Sequence, residues 1–282
     1  MCVLSGNYKG HNSIKKEMEY FENQRYLEYI QHNVEEIRHF VQLPFHWRHR
    51  QEEQVLPIIT QAEQEFPEFA HISAMIPDEL DRRIVADLFQ GQDLYLALVS
   101  MLLWGGAHNG PYSSFLRTLA VGRDTLVRKV ENVSLLLEEG RLECAFDSMH
   151  LGGRNHIDGI STSFFTKIIY FLRFHHQDVP RPLIYDTISA YIHCAILIDQ
   201  NRVEEYFSWH PRYGLRFLRP EYEMYEDYIN SMNSLSQENG IDRSDRLESS
   251  LFGWKMSRAF DISNPRAIVK KYVKEYFRER NA

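Results

Sequence analysis

The chain has 282 residues, a formal net charge of −7, 44% hydrophobic and 25% charged residues. This is ordinary globular composition, long enough for one large core or two lobes. The three cysteines, Cys2, Cys144 and Cys194, have no CxxC spacing, which excludes a structural zinc ribbon and a disulfide framework and predicts a reducing cytoplasm. No apolar run reaches bilayer length and no signal-peptide pattern opens the chain, so a cytoplasmic, non-membrane protein is expected.

Residues 1–16 look irregular, and residues 17–42 carry helical periodicity. Pro44-Phe45-His46-Trp47-Arg48-His49-Arg50 interrupts it. His46 and His49 have ligand-like spacing, but no third ligand accompanies them, and they read as surface histidines around a buried Trp47. A helix is predicted over 51–66, ended by Pro67, and another from Asp78, after Pro77, to Phe89. The apolar run Leu94–Trp104 is too short to span a membrane and predicts a buried helix. It ends in Gly105-Gly106-Ala107-His108-Asn109-Gly110-Pro111-Tyr112, a loop dense in turn residues. A helix then runs from Ser113 or Ser114 through Leu119, and residues 121–150 read as helices broken at Gly140.

The most informative stretch is His156-Ile157-Asp158-Gly159-Ile160-Ser161-Thr162-Ser163-Phe164-Phe165-Thr166-Lys167. It predicts a tight hairpin running into an amphipathic helix. Gly159 supplies the turn, Ile160 an apolar plug, and Ser161 or Thr162 the helix cap. Such a unit aims backbone N–H groups and the positive end of a helix dipole at one spot, which suits a phosphate. Arg154 and His156 flank it, placed to touch phosphates or simply to be solvated. Beyond the helix, Asp178-Val179-Pro180-Arg181-Pro182 leads to Asp186 at the start of the apolar helix Ile188–Ile198. Residues 199–220 look less regular, Tyr222–Leu235 and Asp242–Phe260 read as helical, and Pro265 opens a basic helix from Ala267 to Arg278. No confident strand appears, so the chain reads as all-α.

Hairpin, helix, Pro-rich loop and Asp at a helix start resemble the helix-hairpin-helix DNA glycosylases that carry a Gly/Pro-rich loop and an aspartate. The spelling Gly159-Ile160-Ser161-Thr162-Ser163-Phe164-Phe165-Thr166-Lys167 is similar to the bacterial 8-oxoguanine-glycosylase-like branch, some of whose members attack modified phage DNA. The resemblance implies a two-lobed helical fold with a DNA-binding cleft between the lobes. It divides the chain into an N-terminal helical region 1–90, a glycosylase core 91–205 and a C-terminal helical region 206–282. It implies a monomer that acts on double-stranded DNA containing a modified base, in the bacterial cytosol, with no cofactor and no metal. The cysteine pattern rules out the four-cysteine iron–sulfur loop of some relatives.

By the same resemblance Asp186 is the catalytic carboxylate, stabilising positive charge as the base leaves. Gly159, Ile160, Ser161, Ser163 and Arg154 contact DNA, and His108 and Asn109 are wedge candidates for the gap left by a flipped base, though they otherwise cap and turn. Bifunctional relatives place a lysine in the first turn after the hairpin. Counting from Gly159 that position is Ser163, with Lys167 one turn later, so a monofunctional enzyme is expected and Lys167 is a second catalytic candidate. Phe164 and Phe165 fall on the apolar helix face and read as core. The net charge argues mildly against DNA binding, but Arg/Lys clusters in the middle and at the last helix soften that objection. Two other readings are a non-catalytic helix-hairpin-helix DNA-binding module and an all-helical scaffold.

Overall fold

Strong apolar periodicity punctuated by Asp, Pro and Gly produces many short helices in the computed structural model. It describes residues 26–42, 44–47, 52–106, 114–177, 180–218, 221–252 and 265–280. In chain order these form α1 (Tyr26–His32), α2 (Val34–Arg38), β1 (Phe45–His46), α3 (Glu52–Glu65), α4 (Pro67–Ser73), β2 (Glu79–Leu80), α5 (Arg82–Phe89), α6 (Leu94–Gly105), α7 (Ser114–Leu119) and α8 (Arg123–Glu138). There follow α9 (Leu142–Met149), α10 (Thr162–Arg173), α11 (Thr187–Asp199), a 3-10 turn (Val203–Glu205), β3 (Phe207–His210), β4 (Gly214–Phe217), α12 (Tyr222–Glu238), α13 (Ser244–Phe252) and α14 (Pro265–Arg280). The protein is all-α, as the periodicity predicts, with two small two-stranded antiparallel sheets added.

Local chemistry sets several boundaries differently from the sequence expectation. The helix predicted over 17–42 is broken at Asn33, whose side-chain amide donates back to the Tyr29 carbonyl at 2.7 Å. Pro67 ends one helix but also opens the next, where its missing N–H costs nothing. The helix expected from Asp78 starts at Arg82 instead. Glu79 and Leu80 pair with β1, and Asp81 becomes the N-cap, accepting from the Ile84 N–H at 2.7 Å. Residues 199–220, read as less regular, hold the 3-10 turn and the β3–β4 hairpin.

The described chain divides into two compact units. One comprises residues 41–189 and 220–233, the other residues up to 40 with 190–219 and 234–282. The core of the first is built on α6, in which every residue from Tyr95 to Trp104 is buried. Phe171 of α10 meets Trp104 edge-on and stacks on Phe89, and Phe146 packs against Phe165 and Tyr225. In the second unit Asp199 accepts from the hydroxyls of both Tyr26 and Tyr272, each at 2.6 Å, tying α11 to α1 and α14.

Candidate active site

Three elements of the first unit carry the site: a hairpin, the helix α10 that it leads into, and the run before α11; the last two bring one lysine to one carboxylate. The hairpin comes first. Gly159 has φ +83°, and a Cβ there would lie 2.5 Å from the Ser114 carbonyl oxygen and 2.7 Å from Thr118 Oγ1. Only glycine fits, and its absence of side chain lets the turn lie directly on α7. The Ile160 N–H closes the turn onto the Ile157 carbonyl at 3.1 Å, and both isoleucines are buried. Asn155, also buried, staples the approach to α9 through its N–H on the Ser148 carbonyl and its amide on Ser148 Oγ. Lys129 donates to the His156 carbonyl.

The second element is the start of α10. Ser161 takes the extended N-cap backbone but makes no side-chain cap bond, so its role there is geometric rather than the hydroxyl cap expected. The Gly159 N–H is taken by the Asp158 carboxylate at 2.9 Å, and Asp158 also pairs with Arg117 at 3.6 Å. Arg154 is exposed beside the hairpin.

The third element is the strand-like run into α11. Buried Thr166 accepts the Tyr185 N–H at 3.0 Å and donates to the Thr162 carbonyl at 2.8 Å. That bond fixes the residue immediately before Asp186 to the middle of α10. Asp186 Oδ1 then accepts the Ile188 and Ser189 N–H groups at 2.8 and 3.1 Å, a two-bond helix cap that sets its direction. Its Oδ2 is left 3.8 Å from Lys167 Nζ.

Lys167 is buried, and its side chain is only 6% exposed against 16% for Asp186. Its Nζ donates to the Ser163 carbonyl at 2.8 Å and to Ser163 Oγ at 3.1 Å. Gly105, the last residue of α6, makes room for its stem. A Cβ on Gly105 would stand 3.4 Å from Lys167 Cδ and Cε and 2.8 Å from the Phe164 ring. Phe164 is half-buried, and Lys167 Nζ lies 5.0 Å from its ring centroid. Phe165 is core, as its spacing predicts, but Phe164 belongs to the Lys167 site, which helical periodicity alone did not reveal.

The structure therefore brings together Ser163, Lys167 and Asp186, with Phe164 beside them. It places Gly159, Ile160, Ser161 and Arg154 at the neighbouring hairpin. His108 and Asn109 lie outside the described residues, as does His49. His46 is paired with Glu79 at 3.0 Å. Among the described residues no group of three or more His, Cys, Asp or Glu is arranged to hold a metal ion. No described helix is long and apolar enough to cross a membrane.

A carboxylate with one oxygen anchored and the other facing an ammonium is suited to stabilising a developing cation and to exchanging a proton. A family model described as "Putative 8-oxoguanine DNA glycosylase OGG-like protein" matches residues 39–252, about three quarters of the chain. The chain belongs to this OGG-like family. The match takes in the hairpin, Lys167 and Asp186. No curated protein and no solved structure matches the chain.

Proposed function

We propose that this OGG-like protein is a DNA glycosylase that extrudes a modified base from duplex DNA and cleaves its N-glycosidic bond. The single observation that carries the reading is the Asp186 carboxylate, anchored by two helix-start N–H groups and lying 3.8 Å from Nζ of Lys167, which stands on the helix that the hairpin leads into. Extrusion costs a few kcal/mol of stacking and pairing, offset by a grip on neighbouring phosphates. As the bond from C1′ to the base breaks, the electron pair leaves with the base and positive charge grows on the sugar. Asp186 stabilises that charge. Water then adds to C1′ and loses a proton, leaving an abasic site. The half-buried ring of Phe164 stacks on the extruded base in this reading.

The substrate is either 8-oxoguanine-type damage or a bulky modified cytosine of phage DNA, such as a glucosylated hydroxymethylcytosine. The second would make the protein an antiviral enzyme of the bacterial cytosol, acting as a monomer. The test is release of free base from a panel of modified duplexes and modified phage DNAs. Release from none of them, alongside normal DNA binding, would leave a non-catalytic hairpin module.

The position of Lys167 favours a second reading of the same step. Its Nζ reaches the site, and Asp186 Oδ2 is placed to take a proton from it. The free amine then forms the C1′–N bond as the base leaves, and ring opening gives a Schiff base. Borohydride reduction during turnover separates the two. A covalent adduct lost in Lys167→Met supports lysine attack, and base release with no adduct supports water.

A further inference from the structure

We propose that the β3–β4 hairpin is a second DNA-contacting element, gripping the phosphodiester backbone of duplex DNA through Arg212 and Arg216. The inference rests on the glycosylase reading for its partner but on different residues. From Tyr206 to Leu218 the chain contains no Asp or Glu, in a protein whose net charge is −7. The preceding acids are already occupied: Glu204 pairs with Arg280 at 2.6 Å and Glu205 with Arg202 at 2.7 Å. Among the described residues Arg212 and Arg216 form no ion pair.

Both guanidiniums instead rest on one tyrosine. Arg212 Cζ is 5.4 Å and Arg216 Cζ 4.9 Å from the ring centroid of Tyr213, which is 59% exposed. The His210 ring sits 4.7 Å from the same centroid. An aromatic ring that carries two cations narrows their rotamers. That is the arrangement a phosphate binds with least loss of side-chain entropy. Next to the arginines, Phe217 and Leu218 are 41% and 51% exposed and offer apolar surface to deoxyribose.

The hairpin is rigidly founded. Its four-residue register is complete from Phe207↔Phe217 to His210↔Gly214, and the Tyr213 N–H closes a turn on the His210 carbonyl with Pro211 at its first corner. Trp209 stacks on Phe277 of α14 at 5.6 Å. The Tyr191 hydroxyl of α11 lies beside Gly214, where an added Cβ would stand 3.3 Å from it, and Lys270 Nζ is 5.4 Å from the Tyr191 ring centroid. The hairpin tip and the basic last helix therefore share a neighbour.

The test is binding of the full-length protein to an unmodified 20-base-pair duplex across a salt series, for wild type, Arg212→Ala/Arg216→Ala and Arg212→Lys/Arg216→Lys. Each lost phosphate contact removes about 0.9 from the slope of log affinity against log salt. The alanine pair should flatten the slope by about 1.8, which is on the order of thirtyfold weaker binding near 0.15 M salt. The lysine pair should keep most of the slope, and single-turnover base release at saturating enzyme should match wild type in both. Equal slopes in wild type and the alanine pair overturn this proposal and leave the glycosylase reading standing. A wild type with no salt-dependent DNA binding overturns both. Salt-dependent binding to anionic phosphatidylserine vesicles, lost in the alanine pair while DNA binding is unchanged, would assign the patch to a membrane instead.

Discussion

Replacing Asp186 by asparagine pulls apart the carboxylate's contribution to stability and its proposed part in the chemistry. Asparagine caps helices as well as aspartate, so the bonds from the Ile188 and Ser189 N–H groups at 2.8 and 3.1 Å survive in Asp186→Asn. What is lost is the charge opposite Lys167, whose side chain is 6% exposed. Removing one partner of a buried pair costs about 3–5 kcal/mol. The 3.8 Å separation and the 16% exposure of Asp186 place this pair at the low end. A loss of about 3 kcal/mol lowers Tm by roughly 6–12 °C. Asp186→Ala also removes the cap and costs about 1 kcal/mol more. In Asp186→Asn/Lys167→Met both charges go, the methionine follows the lysine stem past Gly105, and most of the lost stability returns. Activity follows a different order. Base release under single-turnover conditions should fall about 10²–10³-fold in Asp186→Asn, the size expected for one preorganised charge-stabilising group, and stay down in the double variant. Thermal unfolding and release measured on the same preparations check both. Release within tenfold of wild type in Asp186→Asn, or a double variant no more stable than the single, would refute the reasoning.

Three further outcomes follow from neighbouring contacts. Asp158→Ala frees the Gly159 N–H and Arg117 from an exposed carboxylate, so duplex binding should tighten several-fold and its salt slope steepen by about 0.9; an unchanged slope shows the hairpin does not meet phosphate. Thr166→Val keeps the shape but strands the buried Tyr185 N–H, costing about 1–3 kcal/mol by urea unfolding. Base release should drop further than that destabilisation explains, because Tyr185 positions Asp186; wild-type release from the folded variant counts against this bond as the positioning device. Burial raises the pKa of Tyr29 and Tyr95, the latter to about 12, whereas an unfolded tyrosine ionises near pH 10. The folded state holds these protons longer, so their contribution to stability should stay level below about pH 10 and fall above it; burial raises the Cys194 thiol in the same way, so the decline should begin nearer about pH 8.5, where an unfolded thiol ionises, which a series of urea titrations will show.

The all-helical architecture was legible because it rests on local signals. The apolar run of α6, the amphipathic stripe of α10 and the apolar helix after Asp186 each announce themselves within a dozen residues. The β3–β4 hairpin was not, although Phe207 and Trp209 alternate with polar residues as strands do. The run is four residues long, and Pro211 reads as a breaker when it is the corner of the turn. The start of α5 was missed for a related reason: whether Glu79 and Leu80 continue a helix depends on β1, more than thirty residues earlier.

The lysine shows where counting along a chain stops and geometry begins. Measured from Gly159, the first-turn position after the hairpin is Ser163, and Lys167 stands a full turn too late. Helical side chains lean toward the N-terminus of their helix, so a long residue serves the level one turn before its own Cα. Lys167 accordingly carries its Nζ back to the Ser163 carbonyl and hydroxyl, the level that the count assigned to another residue. Asp186 arrives at the same place by an unrelated route. The Thr166–Tyr185 bond spans nineteen positions and clamps the loop to the helix at the residue before the lysine. Neither step leaves a periodic trace in the sequence. The amine and the carboxylate meet because a helix tilts its side chains one way and a buried threonine hydroxyl holds the returning chain. Moving the lysine to the position favoured by counting, as Ser163→Lys/Lys167→Ser, should therefore lift the amine about one turn away from Asp186. That variant should lose any borohydride adduct the wild type forms, and an adduct that persisted at the new position would show that the residue's place in the first turn, and not the level its Nζ reaches, is what the site reads.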